Sequence, residues 1–356
     1  MHWQPANPAL SELKEIVLLA EPEKRFEGDG PKTIENPDGF DLAEWVQRHA
    51  RGLAWETYRR LFLDSLKLYR ALPPAIEYHA STATFRLVCG PNQGGKTAAV
   101  NAEKSRIMRG KHPRFPKKNG LMLCVGRDDD HLSQVMWKEL TSPGQFDLVL
   151  DEVTSLPRAV RPDPASPTQR VDPIDTERKE QWFPAPAFLP EEEWRWKGGI
   201  SWADSAGQVP RISRIRSTGW EVLWHPSGGN PRRGIKVNYV RLDEEIRQQW
   251  FYEIIPRIMR RAGTIDWSAT SQSENEELVQ MIRRAEEGEE SICMVNLMFE
   301  DNPYIPAHMK EIMHKTLLDM NEDQLAARYY GEAMMDQRQV YNHQITKRIQ
   351  VSGFEN

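Results

Sequence analysis

The chain has 356 residues, of which 39% are hydrophobic and 28% charged, with a formal net charge of −5 at neutral pH. That is enough chain to bury a sizeable core in one large domain or two smaller ones, and it excludes a surface that is basic throughout, so any nucleic-acid contact must be a local patch. No run of about 18 apolar residues is present to span a bilayer, and the N-terminal MHWQPANPALSELKE lacks the basic start and apolar stretch of a secretory signal. A cytoplasmic protein with no membrane partner is therefore expected. Cys89, Cys124 and Cys293 each sit in an apolar run rather than at paired metal-ligand spacing, and read as buried free thiols.

Residues 1–40 are rich in proline, glycine and charge without a sustained period, and read as an arm. From Asp41 the pattern turns helical. Asp41 and Glu44 have capping-box spacing, Leu42, Val46, Leu53, Leu61 and Phe62 supply an apolar set, and Pro73-Pro74 ends it. Residues 1–74 thus form an N-terminal arm and helical region. Runs of strand length follow at Phe85–Cys89, Leu121–Val125, Trp220–Trp224, Ile235–Leu242, Thr264–Trp267 and Ile292–Phe299. Helical patterns lie between most of them, which predicts an α/β fold with a largely parallel central sheet over residues 75–300. The interruption is Pro157 to Pro190, with eight prolines and scattered charge. It reads as an inserted surface excursion, about residues 153–195.

The strongest chemical signal is GPNQGGKT, formed by Gly90, Pro91, Asn92, Gln93, Gly94, Gly95, Lys96 and Thr97, which fits G-x-x-x-x-G-K-T throughout. Phe85–Cys89 supplies the strand before it, and Thr97 to Arg109, closed by Gly110, the helix after it. Such a loop turns its amide N–H groups and a helix N-terminus toward a nucleotide's β-phosphate. Lys96 would neutralise the β- and γ-oxygens of ATP, and the Thr97 hydroxyl would hold Mg²⁺. An ATPase also needs a carboxylate for the metal and one to activate water, at the end of a neighbouring strand. Two pairs compete, Asp151-Glu152 and Asp243-Glu244. The strand before Asp151 is the more apolar, but the chain then enters the proline-rich stretch with no helix to carry a crossover. After Glu244 a helix over 245–261 and a strand ending in Ser268-Ala269-Thr270 follow, so topology favours Asp243 for the metal and Glu244 for the water.

These residues also carry a resemblance. EYHASTATFRLVCGPNQGGKT, STGWEVLWHPSGG, PRRGIKVNYVRLDEE and TIDWSATS resemble, in order and spacing, the corresponding stretches of phage terminase large subunits, and FEDNPYIPAHMKEI with DQLAARYYGEAM resembles that family's helical lid. The similarity runs from about residue 76 to 340. It implies a RecA-like P-loop NTPase of the additional-strand class, with a lid over 301–340 that ends with Arg328, Gly331 and Glu332. It further implies an ATP- and Mg²⁺-dependent motor that forms a homo-oligomeric ring on the portal of a procapsid in the infected host cell, works with the small terminase subunit, and pumps double-stranded DNA inward. Carried over by position, Lys96, Thr97, Asp243 and Glu244 keep the roles above, and Ser268 to Thr270 become the segment that couples hydrolysis to movement. Arg233 matches an arginine that reaches the neighbouring subunit's nucleotide, a role that Arg232 beside it could take instead.

For DNA, the basic loop Arg109, Lys111, Arg114, Lys117 and Lys118 and the cluster Arg257, Arg260 and Arg261 are the candidate patches, each equally readable as solvated or internally paired charge. A helicase-like ATPase would be expected to bring a second set of strands after Phe299, and a non-catalytic P-loop scaffold to lose Lys96 or the acidic pair. The family's large subunit continues into an acidic nuclease domain, whereas here the tail 341–356 follows the lid. Plasmid DNA incubated with the pure protein and Mg²⁺ or Mn²⁺ is accordingly expected to stay uncut on a gel, and cleavage would overturn that expectation.

Overall fold

The computed structural model describes residues 64–150, 157–159, 162–163, 166–170, 182–202, 210–231, 234–244, 246–270 and 275–318. The helix expected from Asp41, the rejected pair Asp151-Glu152, Arg232 and Arg233, and the lid residues Arg328, Gly331 and Glu332 lie outside the described residues. In chain order the elements are α1 (Ser65–Leu68), α2 (Pro73–Ala80), β1 (Phe85–Cys89), α3 (Lys96–Met108) and β2 (Leu121–Gly126). Next come α4, whose first part His131–Trp137 is π-helical and whose end Lys138–Thr141 is α-helical, then β3 (Asp147–Leu150), β4 (Pro157–Ala159), β5 (Pro162–Asp163), β6 (Ser166–Arg170) and β7 (Trp182–Pro184). The rest are α5 (Glu191–Trp194), β8 (Ile200–Trp202), β9 (Pro210–Arg214), β10 (Glu221–Pro226), β11 (Tyr239–Asp243), α6 (Gln248–Met259), β12 (Thr264–Ala269), α7 (Glu276–Glu286), β13 (Ile292–Asn296) and α8 (Ala307–Leu318). The described part of α8 falls in the region expected to form the lid.

The main sheet has eight strands in the order β13-β1-β12-β11-β2-β10-β9-β8. The six strands from β13 to β10 in that order are mutually parallel, and β9 and β8 extend the other edge through antiparallel pairings. Each parallel step needs a crossover, and α3, α6 and α7 supply those that follow β1, β11 and β12. One face is largely apolar: Leu87, Leu123, Leu242 and Trp267 pack against Trp250, Phe251, Ile254 and Ile258 of α6 and Leu278, Met281 and Ile282 of α7. The other face lies under α3, which buries most of its length, including Glu103, Lys104 and Ser105.

On that second face the core holds charge. Arg86 of β1 stands in register with Asp266 of β12, and neither has exposed surface. The guanidinium grips the carboxylate with Nε at 2.6 Å and Nη2 at 2.8 Å, and its Nη1 donates to Glu103 of α3 at 2.7 Å. Tyr78 of α2 and Tyr239 of β11 both donate to Asp266 Oδ2, at 2.5 and 2.6 Å. His79 Nδ1 lies 3.0 Å from Glu103 Oε2 and His112 Nε2 lies 2.9 Å from Oε1. Burial opposes ionisation of Glu103, but these histidines and Arg86 hold its carboxyl well below the usual range.

Three readings of the sequence need correction, and one, the rejection of the Asp151 strand, agrees with the topology. Pro73 and Pro74 do not merely stop a helix; they open α2 from an extended N-cap at Leu72, where the missing proline N–H costs no intrahelical bond. The carboxylate strand begins at Tyr239, not Ile235. The strand before Asp151 lies outside the main sheet, in a three-stranded antiparallel sheet with β4 and β7. The end of the proline-rich stretch is not surface: Ala185, Phe188 and Leu189 are fully buried, and Phe188 O accepts from Ser105 Oγ of α3 at 2.6 Å. The outer face of α3 must be covered, and these residues cover it. Replacing Asp266 by Asn should lower the unfolding free energy by about 3–5 kcal/mol, because it removes the carboxylate that takes two of the buried Arg86 donors and leaves only Glu103. Glu221→Gln, which breaks the exposed pair with Arg214, should change it by less than about 1 kcal/mol; urea denaturation measures both.

Candidate active site

The loop between β1 and α3 takes the backbone that its glycines allow. Gly90 has φ 144° and Gly95 φ 95°, and Gln93 is also left-handed at 66°. A Cβ added at Gly90 or Gly94 would lie 2.2 or 2.3 Å from Leu297 O, so the loop is pressed against the chain leaving β13 and no larger residue fits. Asn302, from the Asp301-Asn302-Pro303 motif, donates from Nδ2 to Gln93 O at 2.7 Å. Helix α3 starts without a side-chain cap, which leaves its first N–H groups for an anion. Lys96 is buried and folds onto its own loop, donating from Nζ to Gly90 O at 2.6 Å and Pro91 O at 2.9 Å. Burial lowers its pKa, opposed by the nearby Glu244 and Asp243 carboxylates.

Those carboxylates end β11, and β12 lies between that strand and β1. Asp243 Oδ1 accepts from Ser268 Oγ and from Arg241 Nη2, which also donates to Ser268 Oγ, while His131 Nε2 lies 2.7 Å from Asp243 Oδ2. Burial alone would raise the Asp243 pKa, but Arg241, His131 and Ser268 together hold it far below the usual carboxylate range. Glu244 is the next residue, at φ 56°, a left-handed conformation that costs a non-glycine residue about 1–3 kcal/mol. Its backbone is fixed there by Glu244 N donating to Ser268 O at 2.8 Å and Trp267 Nε1 donating to Glu244 O at 2.9 Å. Its side chain is aimed by Thr270, whose N and Oγ1 donate to Oε2 at 3.0 and 3.1 Å. The residues singled out in Ser268-Ala269-Thr270 therefore each hold one member of the acidic pair.

The structure thus gathers Lys96, Thr97, Asp243, Glu244, Ser268 and Thr270 around one end of β1, β12 and β11. His131, Arg241 and Glu139 join them without having been singled out in the sequence. Only Arg241 leaves a trace there, as a charge in the middle of the short strand YVRLD, every residue of which is buried. The basic loop is largely committed elsewhere: Arg109 and Lys111 pair with Asp64 at 2.7 and 2.8 Å, and Arg114 donates to Ser81 O and Thr82 O. Lys117 and Lys118 remain exposed. In the second cluster Arg257 pairs with Glu253 and Arg261 donates to Asn238.

The donor set fits Mg²⁺. The Thr97 hydroxyl and the Asp243 carboxylate are hard oxygen ligands, and Glu139 Oε2 is a buried oxygen with no hydrogen bond. Among the described residues no group of three His, Cys, Asp or Glu side chains could hold a metal ion on its own.

A P-loop strand, one inserted strand, and then a strand ending in Asp-Glu define the additional-strand, RecA-like class of P-loop NTPase fold. Solved structures similar to the chain include the ATPase domain of the Thermus phage P74-26 large terminase, at 13% identity and TM-score 0.44, covering 76% of this chain and 96% of that one. The large terminase of a thermophilic bacteriophage, solved in complex with ADP, is similar at 10% identity and TM-score 0.44, over 74% of this chain and 54% of that one. The bacteriophage HK97 large terminase is similar at 7% identity and TM-score 0.45, over 77% and 54%. The chain spans about half the length of the latter two proteins. No protein-family model matches the sequence, and no curated protein does. Likeness at this level does not define an activity.

Asp243→Ala should cost about 3–5 kcal/mol of stability in chemical denaturation, because it strands the buried Arg241 guanidinium. Glu244→Gln should cost about 1 kcal/mol or less. Since the Asp243 carboxyl titrates below its unfolded value, its stabilisation is present above the ordinary carboxylate range and is lost only as pH falls well below it.

Proposed function

We propose that this chain hydrolyses ATP as the motor of viral genome packaging, driving double-stranded DNA into a procapsid as part of a terminase complex. The observation that carries the hydrolysis is Glu244, held by Thr270 at the end of β11, one strand removed from the P-loop and within electrostatic reach of Lys96. The packaging role rests on the order and spacing of the terminase-like sequence blocks.

In this reading Lys96 exchanges the Gly90 and Pro91 carbonyls for the β- and γ-phosphate oxygens, with the uncapped N–H groups of α3 on the β-phosphate. Glu244 orients a water and takes its proton as the water oxygen bonds to the γ-phosphorus. The bond to the β–γ bridging oxygen breaks, and ADP leaves with the electron pair. Thr97 and Asp243 would hold Mg²⁺, which would supply charge neutralisation on the phosphate oxygens. When Glu244 turns to the water it releases the N–H and hydroxyl of Thr270, which gives hydrolysis an outlet into the segment leading to α7. Arg233, or Arg232 beside it, acts on a neighbouring subunit's nucleotide in a ring, where such an arginine is worth about 10³–10⁵ in rate. Lys117 and Lys118 are exposed cations of the basic loop offered to DNA phosphates. The portal protein, the procapsid and the small terminase subunit are the partners this role requires. Among the described residues no helix is long and apolar enough to cross a membrane.

Glu244→Gln should bind a fluorescent ATP analogue as the wild type does while turnover falls by about 10²–10⁴, and Lys96→Ala should lose binding. Normal hydrolysis by Glu244→Gln, with loss in Asp151→Asn or Glu152→Gln, would move the site to the other acidic pair. Arg233→Ala and Glu244→Gln, each inactive alone, should partly restore turnover when mixed, because some interfaces then join an intact arginine to an intact glutamate. Failure of two assembling mutants to complement would return Arg233 to an ordinary loop arginine.

A further inference from the structure

One half-buried acid beside the site has no part in the hydrolysis step above. Glu139 lies on the α-helical end of α4, which packs against α3. Its Oε2 is buried and accepts no hydrogen bond, although buried carboxylate oxygens are normally paired. Its hydrogen-bonding neighbour is the Thr97 side chain, and Asp243, Lys104 and His131 are the charged groups around it. Burial and the Asp243 charge push its pKa up. Two further polar groups lie on α3. Asn101 has a buried Nδ2 with no partner. Lys104 is fully buried, 5.1 Å over the Trp224 ring, and its Nζ makes a single long bond of 3.3 Å to Asn101 Oδ1. Thr97, Asn101 and Lys104 fall at helical spacings of four and three, so they share one face of α3.

If Glu139 served packing alone, it would be expected to pair with Lys104, yet the two make no ion pair. What it adjoins instead is a hydroxyl and a second carboxylate, the oxygen donors suited to a hard cation that keeps part of its water shell. We propose that Glu139 is a positioning residue of the divalent-cation site, holding the nucleotide-bound cation through the Thr97 hydroxyl and an intervening water. This rests on the ATPase reading and adds a third oxygen side chain to Thr97 and Asp243. Outer-shell partners of this kind typically change metal affinity about 10–100-fold.

The test is a titration of Mn²⁺ followed by electron paramagnetic resonance, on wild type and Glu139→Gln, in the presence of a non-hydrolysable ATP analogue. A parallel measurement of fluorescent-nucleotide binding in EDTA reports the metal-free site and the integrity of the fold. The expected result is a Mn²⁺ dissociation constant raised about 10–100-fold in Glu139→Gln, with metal-free nucleotide affinity unchanged. Equal Mn²⁺ affinity in the two proteins would overturn the inference and leave the ATPase reading standing. An equal loss of metal-free nucleotide binding would overturn it too, by showing that Glu139 only supports packing. Absence of nucleotide-dependent Mn²⁺ binding in the wild type would overturn the ATPase reading, and this inference with it.

Discussion

Arg86 and Asp266 face each other on adjacent strands, in contact with nothing but protein. Removing two ions from water is expensive, and the attraction between them offsets that cost only when the remaining donors and acceptors are also satisfied. Here the remaining partners are Glu103 on α3, Tyr78 on α2 and Tyr239 on β11. Each belongs to a different element, so satisfying one ion pair fixes the P-loop strand, the P-loop helix, the inserted strand and the carboxylate strand relative to one another. An apolar core of the same volume would tolerate small slippages that these directional bonds do not.

The same face carries a second polar row two residues further along the strands. In the first row Arg86, Asp266 and Arg241 are register neighbours on β1, β12 and β11; in the second Ser268 and Asp243 are neighbours, beside Val88. One pleat repeat, about 6.6 Å, separates them. Arg241 belongs to the first row but reaches the second through Asp243 and Ser268. The candidate chemistry is thus seated on a charged layer that is itself inaccessible, and the low pKa of Asp243 follows from that seat as well as from His131.

The P-loop is legible in the sequence because its chemistry is local: eight consecutive residues specify a backbone shape, and Lys96 and Thr97 travel with it. The choice of Asp243 over Asp151 rests on crossover topology, and the strand before Asp151 does lie outside the main sheet. Contributions from distant segments leave little trace. His131 and Glu139 reach the site because α4 passes over it, and neither position breaks a local rule. Phe188 and Leu189 are apolar residues among prolines, and nothing nearby in sequence reveals that they cover α3. Pro73 misleads because a proline pair suits the first turn of a helix as well as its end.

The contact between the P-loop and Leu297 ties two distant parts of the chain together. Gly90 and Gly94 are packed so closely on that carbonyl that the loop has no slack on this side, and Leu297 N is itself bonded to Cys89 O at 2.9 Å. Asn302 closes the arrangement through Gln93. A change in the shape of the loop on one side would bear on residues 297–302 on the other, and α8 begins only a few residues later, at Ala307. The outlet of β13 is therefore placed like a follower on a cam, where a change in the shape of the loop would be passed to the base of the next helix.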